Sequence, residues 1–194
     1  MDDLIKKEVA GTPTVQQAEK LYNIRNVENF THNEIHMPDV AFQSHAADWA
    51  LLNTEFYNLF VLQNENFKDG SFSLSTDVAL KNTERELKSK FNTLSSDLLL
   101  RMPCVFAVRN PSYKTAPGYH MAYLGKLTGV TPQGDNVKFC FDIFEKFKQQ
   151  LINENIRLFN LQETTLRNQL DEVHWSIRTG NLLEIIDNIG IEIK

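Results

Sequence analysis

Apolar positions change their spacing twice along the chain. Trp49, Leu52, Phe56, Leu59 and Phe60 recur at intervals of three and four. That spacing predicts a helix over 45–66, with Ser44 as N-cap and Lys68-Asp69-Gly70 as the turn that ends it. Leu80, Leu87, Phe91, Leu94 and Leu98 make the stripe of a second helix over 76–99. Glu84–Lys88 and Glu86–Lys90 support it as opposite charges one helical turn apart. Two amphipathic helices joined by a short polar turn predict an antiparallel helical hairpin. Beyond residue 102 the period drops to two. Pro103-Cys104-Val105-Phe106-Ala107-Val108 is a short apolar run closed by Asn110-Pro111, which predicts a buried strand. Tyr123, Gly125, Leu127 and Gly129 alternate with Leu124, Lys126 and Thr128. After a turn at 131–136, Val137, Phe139, Phe141 and Ile143 alternate with Lys138, Cys140 and Asp142. These two stretches predict a hairpin with one strongly apolar face. Gly125 and Gly129 mark sharp curvature or a bulge.

Residues 156–159 offer a fourth strand. Helical spacing then returns with Leu166, Leu170, Val173 and Ile177, closed by Gly180 as C-cap. Asn181 and Glu184 form the two halves of a capping box for a last helix carrying Leu182, Ile185, Ile186 and Ile189. The expected fold class is therefore α+β: an N-terminal helical hairpin, a small curved, barrel-like antiparallel sheet, and C-terminal helices. Residues 1–43, punctuated by Gly11, Pro13 and Pro38, read as a partly irregular N-terminal arm with a short helix at 15–24. Residues 44–194 read as a single α+β domain.

Composition narrows the class. The 194 residues are 42% hydrophobic and 23% charged, the balance of an ordinary folded domain. No apolar run is long enough to span a bilayer, so no membrane partner is expected. The first residues carry no apolar stretch ahead of a small-residue cleavage site, and the two cysteines, Cys104 and Cys140, make no disulfide framework. A cytoplasmic location is expected. The net charge of −5 argues against a general DNA-coating protein. Residues 101–148 nevertheless hold seven Lys and Arg against three Asp and Glu, a basic island between acidic flanks.

Catalytic motifs are absent. There is no phosphate-binding Gly-x-x-x-x-Gly-Lys, no Gly-x-Gly-x-x-Gly and no Gly-x-Ser-x-Gly elbow. His32 and His36, near Glu34, Asp39 and His45, have metal-ligand spacing only if a helix passes Pro38, so they read as surface histidines. His120 with Cys104 or Cys140 could form a nucleophile pair, but no neighbouring cation activates either thiol, and cysteines among aromatics on strands read as packing residues. No catalytic residue, metal or cofactor is expected. In the basic island Arg101, Arg109, Lys114, Lys126, Lys138, Lys146 and Lys148 interleave with Phe106, Tyr113, Tyr119, Tyr123, Phe139, Phe141, Phe144 and Phe147. Basic residues with exposed aromatics on a curved sheet bind single-stranded nucleic acid; the bland reading puts the aromatics in the core and the lysines in solvent.

Three stretches carry a resemblance. They are Leu98-Leu99-Leu100-Arg101-Met102-Pro103-Cys104-Val105-Phe106-Ala107; Ala122-Tyr123-Leu124-Gly125-Lys126-Leu127-Thr128-Gly129-Val130 with Asn136-Val137-Lys138-Phe139; and Glu172-Val173-His174-Trp175-Ser176-Ile177-Arg178 with Asn181-Leu182-Leu183-Glu184-Ile185-Ile186. In this order, over about 45–190, they resemble a small α+β recognition module of bacterial defence-type proteins, commonly fused to an effector such as a TIR domain. The resemblance implies a recognition or docking role and carries over no catalytic residue. This chain departs from that pattern in having an N-terminal arm and no attached effector.

The expected function is a non-enzymatic docking or sensor subunit of a bacterial or phage conflict system, antiviral defence included, with a protein partner such as an effector or complex subunit. The alternative is a nucleic-acid-binding module using 101–148. Candidate contact residues are Arg109, Lys114, Tyr119, His120, Lys126, Lys138, His174 and Trp175. His174 and Trp175 read either as structural residues on a helix or as a docking pair.

Overall fold

The computed structural model describes Trp49 and residues 51–63, 67–90 and 96–193. The expected arm, its short helix, and His32, His36 and His45 lie outside the described residues. Six strands dominate: β1 Phe56–Leu62, β2 Ser71–Ser75, β3 Pro103–Val108, β4 Met121–Gln133, β5 Asn136–Lys148 and β6 His174–Thr179. The helices are short: α1 Arg85–Lys90, α2 Ser96–Leu100, α3 Gln150–Glu154 and α4 Leu182–Asn188, with 3-10 turns at Thr76–Val78 and Gln169–Asp171. The sheet order is β2-β5-β4-β3-β1-β6. β1 and β3 run parallel, and every other neighbouring pair is antiparallel.

The expected α+β fold is thus corrected to a mixed α/β fold built on one six-stranded sheet. Among the described residues there is no N-terminal helical hairpin: the first expected helix contains β1, and the second is broken into a 3-10 turn and two short helices, with β2 just ahead of it. The cause is burial on both faces. In Phe-Tyr-Asn-Leu-Phe-Val-Leu every residue after Phe56 is buried. A strand covered on both sides has no polar alternation, and its continuous apolar run also satisfies a helical stripe. The expected helix over 166–177 is corrected to a polar turn, a 3-10 turn and β6. Residues 156–159 form no strand. The last helix is present as α4, although the Asn181 side chain makes no capping bond.

The two faces hold separate cores. On one, Tyr57, Leu59 and Val61 of β1 pack with Val105, Ala107, Leu124 and Phe147 beneath Ile152 of α3 and Leu182, Ile185 and Ile186 of α4. On the other, Phe60 stacks on Phe106 at 5.3 Å and on Trp175 at 5.9 Å, and Phe67, Phe72, Phe139 and Phe141 complete an aromatic cluster. Val137, Phe139 and Phe141 are buried in it, as their alternation predicts, with Ile143 at its margin. Phe139 lies 5.1 Å from Trp175, although three strands lie between β5 and β6 in the sheet. The sheet is therefore strongly curled, and Ala79, just past β2, forms a bridge to Trp175 of β6. Register shifts at Leu124/Gly125 and Leu127/Gly129 provide the bend. Gly125 is required there, because a Cβ would sit 2.0 Å from the Asp142 carbonyl oxygen.

Polar groups inside this core have few partners. Trp175 Nε1 donates to Asn58 Oδ1 at 3.0 Å. Arg178, on the opposite face of β6, is 1% exposed and donates from Nη1 to the Asn82 carbonyl at 2.8 Å and from Nη2 to that of Asn160. His174 is buried on the same side as Arg178, with Nδ1 2.9 Å from the Glu172 carbonyl oxygen. Burial holds its pKa down at about 4, against 6.5 when free.

Two predictions follow from these buried groups. Trp175→Ala should cost about 3–5 kcal/mol and Asn58→Leu about 1–3 kcal/mol. In urea unfolding the double variant should lose less than the sum, since neither orphan remains; strict additivity would deny the bond any weight. His174 binds its proton more weakly folded than unfolded. Stability should therefore fall as pH drops below 6.5 and level off below about 4, by about 3 kcal/mol in all. His174→Gln should flatten that window, whatever its stability at neutral pH.

Candidate functional site

The most developed surface site lies where β3 leaves the sheet. Arg109 N donates to the Leu62 carbonyl at 2.8 Å and Asn110 N to that of Leu170 at 2.8 Å, which fixes the start of the loop over 109–120. Beneath the loop is a buried network of neutral amides. Gln149 pairs with both backbone groups of Val108, its Oε1 accepting at 2.9 Å and its Nε2 donating at 2.6 Å, and Nε2 also reaches Asn110 Oδ1 at 3.1 Å. Asn153 Oδ1 accepts from Asn110 Nδ2 at 2.9 Å and from Asn168 Nδ2 at 3.0 Å. Gln150 Oε1 accepts from Ala116 N at 2.9 Å, and Lys148 Nζ donates to the Gly118 carbonyl at 2.6 Å. A loop carrying Pro111 and Pro117 and few backbone partners of its own is thereby held from below.

A second element completes the site. Glu163 and Asn168 face each other across a tight turn, closed by Thr164 N to the Arg167 carbonyl at 2.7 Å. Thr164 Oγ1 accepts from Arg167 N at 3.1 Å and Leu166 N at 3.3 Å. Tyr113 Oη donates to the Thr164 carbonyl at 2.8 Å, and Lys114 forms an ion pair with Glu163. That bond raises the Lys114 pKa. The turn is therefore tied to the 109–120 loop at two points. Between them is a cavity of about 460 Å³ lined by Arg109, Tyr113, Leu166, Arg167, Asn168 and Asp171. Asp171 is satisfied internally: Oδ1 accepts from Asn110 Nδ2 at 2.9 Å and Oδ2 from Asn168 N at 2.8 Å. Glu172 at the edge accepts from Lys81 Nζ at 2.8 Å and Asn82 Nδ2 at 3.0 Å, and the Lys81 bond keeps its carboxyl pKa low. Leu166 is 78% exposed.

The expected contact residues are not one cluster. Arg109 lines the cavity, and Lys114 borders it through the Glu163 pair. Tyr119 and His120 are on the same loop, with ring centroids 4.9 Å apart. Tyr119 is 80% exposed and His120 half-buried. Lys126 lies elsewhere, over the Phe144 ring and beside Leu51, Leu52 and Leu100. Lys138 stands in β5 opposite Ser73 and Thr131. His174 and Trp175 are wholly buried strand residues rather than a helical surface pair. Of the eight aromatics in the basic island, Phe106, Phe139, Phe141 and Phe147 are core, which removes half of a stacking platform. Cys104 is buried and its thiol pKa pushed up to about 12, a protonated packing residue. The helical spacing names Leu166 as a stripe residue and does not single out Arg167. Thr164, Thr165 and Asn168 around them are the turn chemistry that marks the site.

Among the described residues, no group of three His, Cys, Asp or Glu is arranged to hold a metal ion, and no helix is long and apolar enough to cross a membrane. The amide network should matter more for stability than the ion pair. Asn153→Ala leaves the buried Asn168 Nδ2 without its acceptor, while Asn110 keeps Asp171 and Gln149, and should cost about 1–3 kcal/mol. Glu163→Gln at the surface ion pair should leave stability almost unchanged. Urea midpoints of the two variants check the ranking, and equal losses would overturn it.

The chain matches no family model, no curated protein and no solved structure.

Proposed function

We propose that this chain is a non-enzymatic protein-docking subunit whose contact surface is the cleft between the 109–120 loop and the 163–168 turn. The observation that carries the reading is Leu166, 78% exposed at the tip of a doubly tied turn, beside Arg167, Arg109 and Tyr113. Arginine and tyrosine are enriched at interface centres, and the exposed leucine beside them adds apolar area that a partner would cover. The ties hold the turn in place before a partner arrives, which lowers the ordering cost of association. The cytoplasm of a bacterium, in a conflict system of host or phage origin, is the setting the sequence resemblance implies.

The test is affinity capture from cell lysate with the full chain, comparing wild type with Leu166→Asp/Arg167→Glu. The expected result is a protein retained by wild type, lost with the variant, and cross-linked to residues 163–168. Identical recovery on both would overturn the reading. So would retention of nucleic acid with an affinity that falls steeply with salt, the mark of phosphate contacts.

A further inference from the structure

The charge balance of the cleft points to the chemistry of what enters it. The acids that line it are already used: Asp171 accepts hydrogen bonds on both oxygens, and Glu172 is bound to Lys81 and Asn82. The lining cations are not. Among the described residues, Arg109 and Arg167 meet no carboxylate, although both border the same cavity. Tyr113 Oη spends its proton on the Thr164 carbonyl, so the hydroxyl meets a visitor only as an acceptor. The donors that face an occupant are therefore mainly guanidinium N–H groups, whose planar fork fits a carboxylate with two parallel bonds. Beside them Leu166 offers an apolar contact. A volume of about 460 Å³ accommodates a few side chains, within the range of roughly 300–1,000 Å³ typical of ligand sites.

We infer that the cleft takes a carboxylate-bearing peptide segment, an Asp or Glu held by Arg109 and Arg167 with a neighbouring apolar side chain seated on Leu166. This rests on the docking reading above and names the partner's chemistry. A peptide fits better than nucleic acid because Leu166 is the apolar side chain most exposed in the cleft, and Tyr113, the aromatic there, is held by its hydroxyl to the Thr164 carbonyl. Four of the eight aromatics of the basic island, Phe106, Phe139, Phe141 and Phe147, are buried and offer bases nothing to stack on.

The experiment is selection from a displayed library of random peptides on the full wild-type chain and on Arg109→Glu/Arg167→Glu. Both positions are exposed, so melting temperatures should match within a few degrees. Wild type should enrich peptides with Asp or Glu within two positions of Leu, Ile or Phe. A labelled synthetic copy should lose about tenfold or more in affinity on either single reversal, and less on Arg167→Lys, which keeps the charge and loses the fork. Selected peptides without acidic residues, or acidic peptides that bind the double reversal equally well, would overturn the inference. Recovery of no peptide would overturn it as well. If neutral peptides are selected and lost on Leu166→Asp, the carboxylate is wrong and the docking reading stands. If a labelled single-stranded oligonucleotide binds in place of peptides and is lost on the double reversal, both fail.

Discussion

The fold depends on a parallel pair of strands, β1 and β3, that is covered on both faces. Neither strand has a solvent side, so each side chain must either fit a core or find a polar partner inside one. Asn58 is the one side-chain amide within β1, and its position explains the arrangement around it. Its oxygen holds the Trp175 indole, and its amide faces Cys104 and the Leu99 carbonyl. Through those contacts the centre of the sheet is tied to β6, to β3 and to α2. The aromatic cluster then fills the concave side, where Phe60, Phe106, Phe139 and Trp175 pack edge and face.

A different device operates at the end of β3. There the buried groups are almost all neutral amides: Gln149, Asn110, Asn153, Asn168 and Gln150. Neutral amides satisfy backbone groups without the desolvation cost of buried charge. Asp171 is the single carboxylate in the network. Its two oxygens are taken up by Asn110 and the Asn168 backbone, so no ion pair joins it to the arginines that line the same cleft.

Much of the sheet was legible in the sequence. The β3 run was closed by Asn110-Pro111, and the β4–β5 hairpin showed alternation, a polar turn and two glycines at its register shifts. The rest was hidden for physical reasons. β1 looked helical because double burial erases the period of two. In β6 the alternation of Trp175 and Ile177 with His174, Ser176 and Arg178 was present. A spacing of four, three and four from Leu166 to Ile177 matched a helix equally well. The burial of Arg178 could not be foreseen, since its two carbonyl partners come from Asn82 and Asn160, both distant in sequence. The candidate cleft was half visible: Arg109 stood out in the basic island, while Leu166 was read as part of a helical stripe and Arg167 was not singled out. Lys126, Lys138, His174 and Trp175 fell away from it because strand register sent them elsewhere.

The strand order also sets a timetable. β1 is made early, yet one of its two neighbours is β6, and Asn58 and Trp175 are 117 positions apart. At about 5–20 residues per second on the ribosome, roughly 6 to 23 seconds pass between synthesis of the two. Throughout that interval β1 is an apolar ribbon with at least one edge unpaired, and both until β3 is made, the form of chain prone to join a neighbour's sheet. A nascent chain of this fold therefore needs either shelter by a chaperone or temporary cover from its own upstream residues until its last strand emerges.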